Sequence, residues 1–158
     1  MTKLHEEIKK REPFECPEQE ALLNLFRTSD RLNHRFAQLF AEHGLTCSQY
    51  NILRILRGEG KPLPCLEIAQ RTITVVPGIT GLIDRLERDG LVNRLRCEKD
   101  RRVIYVALTD QGMTTLAAVD EPLVALHHTL VGHLSQGELK ELIRLLEKVR
   151  EPLAGTDD

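Results

Sequence analysis

The chain has 158 residues, 41% of them hydrophobic and 29% charged, with no Trp and a formal net charge of −2. That length suits one domain with a substantial core and is short for two; few aromatics beside many Leu, Ile and Val point to a mainly helical fold. No apolar run approaches the roughly 20 residues that span a bilayer, and the N-terminus carries no signal-like apolar core, so no membrane partner and a cytoplasmic location are expected.

Residues 1–16 are charged and contain Pro13, and read as a flexible or loosely docked arm. Residues 17–152 read as a single domain. Pro17 suits the first position of a long helix, where its missing donor costs nothing. Leu22, Leu25, Phe26, Leu32, Phe36, Leu39 and Phe40 recur at helical spacing up to Gly44, a stop signal. A helix of about 25 residues exceeds what the body of a small domain needs, so it is expected to pack on something else as well. Thr46 with Gln49 forms a capping-box pattern for a helix through Tyr50, Leu53 and Leu56 to Gly58. The segment Gly58 to Pro64, with two Gly and two Pro, reads as a loop.

A short helix with apolar Leu66, Ile68 and Ala69 follows, then a turn from Arg71 to Thr74, then a second helix from Val75 to Asp89: a helix-turn-helix. Gly90 supplies the left-handed stop. Leu91 to Cys97 and Val103 to Leu108 alternate and are rich in β-branched residues, so they read as a two-stranded hairpin around a polar turn. Thr109 caps a helix to about Leu130, with Pro122 as a place for a kink. Ser135 and Glu138 form a second capping-box pattern for a last helix ending before Pro152.

Charge is unevenly placed. Residues 54–102 hold 11 Lys/Arg against 7 Asp/Glu, while the rest of the chain holds the other 11 basic and 17 acidic residues. A basic middle between acidic ends is a local footprint for a polyanion. Ile79, Leu82, Ile83 and Leu86 form the apolar stripe of the Val75–Asp89 helix, leaving Gly78, Thr80, Gly81, Asp84, Arg85 and Arg88 on the other face. Small residues near a helix start let the backbone approach a duplex, and Thr80 can bond a phosphate or base edge. In the hairpin, Arg94, Arg96, Lys99, Arg101 and Arg102 lie within nine residues. Such a tip fits the minor groove, where arginine is favoured. Asp100 at the tip would repel phosphate and reads as structural. Taken separately, the helix could be an ordinary surface helix and the hairpin a solvated turn; joined without a linker, they can grip duplex DNA in two places.

The run GITGLIDRLERDGLVNRLRCEKDRRVIYVALTDQG resembles the signature of MarR-type transcriptional regulators, with LxDRLExxGLVxR at the helix-to-wing junction, DRR in the wing and a closing LTxxG. The resemblance implies a mainly α, winged helix-turn-helix fold with long N- and C-terminal dimerisation helices: residues 17–44 and 110–152 for dimerisation, about 46–109 for the DNA-binding lobe. It implies a homodimer on a pseudo-palindromic operator, with half-sites about 34 Å apart. The DNA-contacting set is Thr74, Val76, Pro77, Gly78, Thr80, Gly81, Arg85, Arg94, Arg96, Lys99, Arg101 and Arg102, with Arg101 at the wing tip. Asp84 would pair with Arg102 as a brace between helix and wing, with Asp100 as a further structural carboxylate. Pro77 and Gly78 depart from the Ser or Thr common near this helix start, and Pro64 from a hydroxyl residue. Dimerisation would use Leu139, Leu142, Ile143, Leu145, Leu146 and Val149; packing within one chain is the other use of that face.

The resemblance further implies a repressor responding to a small-molecule ligand, such as a small aromatic compound, or to an oxidant, with a ligand crevice that His34, Gln38, Cys47, Tyr50 and Arg54 would face. Each of the five also suits an ordinary packing or surface role. The four cysteines form no CxxC pair, and Cys16 lies just before the helix where the peroxide-sensing branch of the family has its cysteine. His127 and His128 are adjacent and diverge on a helix, so no metal and no other cofactor is expected. No nucleophile–base pair or phosphate loop is visible, so no enzyme is expected. A winged-helix module for protein–protein contact without DNA binding is the alternative.

Overall fold

The computed structural model describes residues 2–74, 78–96 and 103–153. They form seven α-helices and three short strands, in two compact units, residues 1–119 and 120–158. The first unit starts with a short helix, α1 (Lys3–Glu7), that is docked rather than loose. Leu4 is buried, and the His5 ring meets Phe14 edge-on at 4.4 Å while its Nε2 bonds the Glu12 carbonyl at 2.8 Å. Glu7 then reaches Arg31 of the next helix at 2.9 Å.

That next helix, α2 (Pro17–Glu42), has Pro17 in its first turn, as the sequence predicts. Its exit is a Schellman turn: Gly44 is left-handed at φ 70°, its N–H bonds the Ala41 carbonyl, and Leu45 N–H bonds the Phe40 carbonyl. Phe40 and Leu45, which flank this turn, are both buried. Helix α3 (Cys47–Glu59) opens on the predicted capping box, with Thr46 and Gln49 bonding each other's backbone N–H, and runs one residue past Gly58 to a left-handed Gly60.

The predicted loop before Pro64 contains a strand, β1 (Leu63–Pro64). It pairs antiparallel with β3 (Ile104–Leu108), which pairs on its other side with β2 (Val92–Arg96), so the sheet has three strands and not two. Two residues give no readable alternation, and Pro64 is tolerated because β1 is an edge strand. Between β1 and β2 lie α4 (Cys65–Gln70) and α5 (Ile79–Arg88). A second Schellman turn at Gly90 closes α5, with Leu91 N–H bonded to the Leu86 carbonyl at 2.9 Å. One core joins these elements: Ile52, Leu53, Leu63, Ile68, Ile83, Leu86, Val92, Val106, Leu116 and Val119 are almost wholly buried.

Helix α6 (Asp110–Val131) follows β3 directly and runs through Pro122. Thr109 Oγ1 accepts the Gly112 N–H at 3.0 Å and donates to the Gly90 carbonyl at 2.7 Å, tying the start of α6 to the end of α5. Gly112 is obligatory there, because a Cβ would fall on the Leu91 carbonyl oxygen. The second unit holds the rest of α6 and α7 (Gln136–Arg150), opened by the predicted Ser135–Glu138 capping box. Among the described residues no helix is long and apolar enough to cross a membrane.

Candidate nucleic-acid interface

The amphipathic pattern of α5 decides which residues face solvent. Leu82, Ile83 and Leu86 are buried and Ile79 partly so, which leaves Gly78, Thr80, Gly81, Asp84, Arg85 and Arg88 exposed. The helix is shorter than the sequence predicts, because its N-cap is Gly78, left-handed at φ 70° and ψ 44° with no side-chain cap. A Cβ at Gly78 or Gly81 would meet nothing within 4 Å, so neither glycine is there to relieve crowding inside the protein. Gly81 in a helix is less favourable than Ala by about 0.5–1 kcal/mol. The start of α5 is a smooth surface that its own sequence holds weakly. Thr74 is exposed just ahead of it; Val76 and Pro77 lie outside the described residues.

Arg94 in β2 has a different surrounding from the one expected of a phosphate contact. Its side chain is only 20% exposed and faces α5. Nη1 lies 2.6 Å from Asp84 Oδ1 and 2.8 Å from Glu87 Oε2, Nη2 donates to the Thr80 carbonyl at 3.2 Å, and the Arg94 main-chain N–H donates to Glu87 Oε1 at 3.0 Å. Burial opposes the charge on this guanidinium, and the bonds from Asp84 and Glu87 outweigh it, holding its pKa above the ordinary value. The described partner of Asp84 is Arg94; the implied pairing of Asp84 with Arg102 falls outside the described residues. Arg102, Asp100, Lys99 and Arg101 lie outside the described residues. Glu87 went unnoticed in the sequence, although its place in LExxGLVxR, seven residues before Arg94 across a glycine turn, marks it as a partner.

Other cations of the basic middle are also engaged. Arg71 bonds Glu59 at 2.6 Å and also Glu67, and Lys61 bonds Glu59 at 3.2 Å. These bonds hold the Glu59 carboxyl below its ordinary pKa, Arg71 contributing most. Arg85, Arg88 and Arg96 are exposed, and no ion pair to any of them occurs among the described residues. Favourable charge for a polyanion thus sits on the far half of α5 and the outer part of β2.

The five crevice residues occupy two helix faces. His34 and Gln38 are exposed on α2, one turn apart. Cys47, Tyr50 and Arg54 share a face of α3: Tyr50 is buried with its ring stacked 4.2 Å from Phe40, and Arg54 bonds Asn51 at 3.0 Å. Burial pushes the Cys47 thiol pKa up, which disfavours the reactive thiolate. Cavities among the described residues lie elsewhere. One of about 570 Å³ runs beside the arm along His5, Phe14 and Cys16, and one of about 180 Å³ lies among Leu56, Leu108 and Met113. Among the described residues no group of three or more His, Cys, Asp or Glu could hold a metal ion.

The comparisons with known proteins agree in kind. A family model described as the MarR family matches residues 45–104. The homoprotocatechuate degradative operon repressor of Escherichia coli is 30% identical over 113 residues, which cover 72% of this chain and 76% of that protein. Among solved structures, a MarR transcription factor from Planctomyces limnophilus is 44% identical with a TM-score of 0.67, covering 85% of this chain and 98% of that one. BpsR of Bordetella bronchiseptica, whose DNA binding is regulated by 6-hydroxynicotinic acid, is 25% identical with a TM-score of 0.76, covering 89% and 99%.

Proposed function

The chain belongs to the MarR family of winged helix-turn-helix, DNA-binding transcriptional regulators, and from that premise we propose that it is a homodimeric repressor whose operator binding is relieved by a small aromatic ligand. The observation that carries the DNA-contacting surface is α5. Its core face is filled, while its outer face presents Gly78, Thr80, Gly81 and Arg85 with open space around both glycines. Backbone can therefore lie against a base-pair edge in the major groove while Thr80 and Arg85 make polar contacts. Arg96 and the wing residues Lys99, Arg101 and Arg102 would extend the grip into the adjacent minor groove, with Thr74, Val76 and Pro77 at the approach to the helix.

Dimerisation is supported by apolar side chains that one chain leaves open: Leu22 and Phe26 on α2, and Leu142, Ile143, Leu145 and Val149 on α7. A second copy would cover them and place two α5 helices about one duplex turn, roughly 34 Å, apart. Repression and ligand relief rest on kinship with the Escherichia coli repressor and the Bordetella regulator. The same kinship does not favour the reading as a protein–protein contact module.

Binding of the purified chain to its own upstream DNA, measured against random duplex over a salt series, tests the proposal. A preference that survives while affinity falls with salt is expected; equal affinity for both duplexes would sink it. Arg101→Ala should weaken binding without unfolding the protein, and unchanged affinity would remove the wing tip from the contact set.

A further inference from the structure

We propose that Arg94 is a positioning residue for DNA reading: from the wing strand it holds the first turn of α5 in place and touches no nucleic acid itself. The inference rests on the DNA-binding reading above. The first turn of α5 has little to hold it from within, with a left-handed glycine as N-cap, no side-chain cap, and Gly81 beside β-branched Ile79 and Thr80. Thr80, Asp84 and Glu87 are spaced four and three residues apart and so share one helix face. A single guanidinium spans all three, bonding the Thr80 carbonyl and both carboxylates. Its own place is secure, since Arg94 pairs across the sheet with Val106, a fully buried core residue, and its main-chain N–H is bonded to Glu87.

A phosphate has no good reason to enter this cluster. Two carboxylates already surround the one guanidinium, so the group as a whole is negative and a phosphate would have to displace a carboxylate to reach it. Lysine could not replace the arginine, because a point-like ammonium lacks the planar fork that bonds several acceptors in fixed directions. The clasp makes the two DNA-contacting parts one rigid piece, and rigidity of that kind serves discrimination between sequences more than overall attraction to DNA.

The test compares the full chain with Arg94→Lys, Arg94→Gln and Glu87→Gln, on the preferred duplex selected from a random pool and on random duplex. Arg94→Lys and Glu87→Gln should each lose about tenfold of the preference, the worth of one good base contact, and the double variant should lose no more than the worse single one. The Glu87→Gln result is the more telling, because removing a negative charge would by electrostatics alone strengthen binding. The salt slope of Arg94→Gln should match the parent. A slope smaller by about one, as for a lost phosphate contact, would overturn the proposal, and so would an Arg94→Lys variant with full preference. Hydrogen exchange in the free protein gives a reading that needs no DNA: Arg94→Lys should speed exchange of the amides in the first turn of α5, and unchanged exchange would overturn the clasp. A parent chain with no sequence preference at all would instead overturn the functional reading, leaving the exchange result to judge the clasp.

Discussion

Gly81 illustrates how far a single residue's role can be judged from its surroundings. In the free protein nothing occupies the space its side chain would fill, so Gly81→Ala should raise stability by about 0.5–1 kcal/mol, read from urea unfolding. If backbone at this point lies against DNA, the same change should lower operator affinity, and a variant that gained on both measurements would remove Gly81 from the interface. Cysteine behaviour is a second matter at this scale. Burial raises the Cys47 pKa, whereas Cys16 is exposed at the N-cap of α2. A raised pKa means less thiolate at a given pH, so alkylation followed by peptide mapping should modify Cys16 first and require a higher pH for Cys47. Equal rates near neutral pH would contradict this.

Helices and strands show where local signals suffice. Both capping boxes and the Pro17 start of α2 follow from hydrogen bonding between near neighbours in the chain, and the structure has them where the residues announce them. Ser135→Ala should cost α7 about 1 kcal/mol, measurable as an earlier loss of helix signal on heating. The partner carboxylate adds a pH signature. Bonds from the Ser135 backbone N–H and hydroxyl hold the Glu138 pKa below its ordinary value. Its contribution is therefore complete above the unfolded-chain pKa, declines as pH falls below that value, and is gone once pH passes through the lowered folded one. Glu138→Gln should remove that acid-side dependence, and a titration of helix signal that is the same in both proteins would contradict the assignment. Elements decided at longer range were harder to read. Strand β1 is two residues long and exists because β3 offers it a free edge, and the arm is docked because Leu4 and His5 find a place to bury themselves.

For the whole molecule, the exposed apolar faces of α2 and α7 predict that the chain sediments as a dimer. Ile143→Glu with Leu142→Glu, on residues already exposed in one chain, should give a folded monomer with much weaker operator binding; a dimer that persisted would exclude α7 from the interface. By itself the sequence determined the family, the order of the helices from Pro17 onward, the core face of α5 and the basic middle of an otherwise acidic chain, because each is written in residues close together or in a periodic pattern. Only the tertiary structure decided what each charge does. Arg94, Arg96 and Arg85 look alike in the sequence, yet Arg94 is spent on Asp84, Glu87 and Thr80 while the other two stand exposed. The reason is physical: a guanidinium pairs with whatever acceptors the fold brings within about 3 Å, and that distance is set by how β2 lies against α5, not by spacing along the chain.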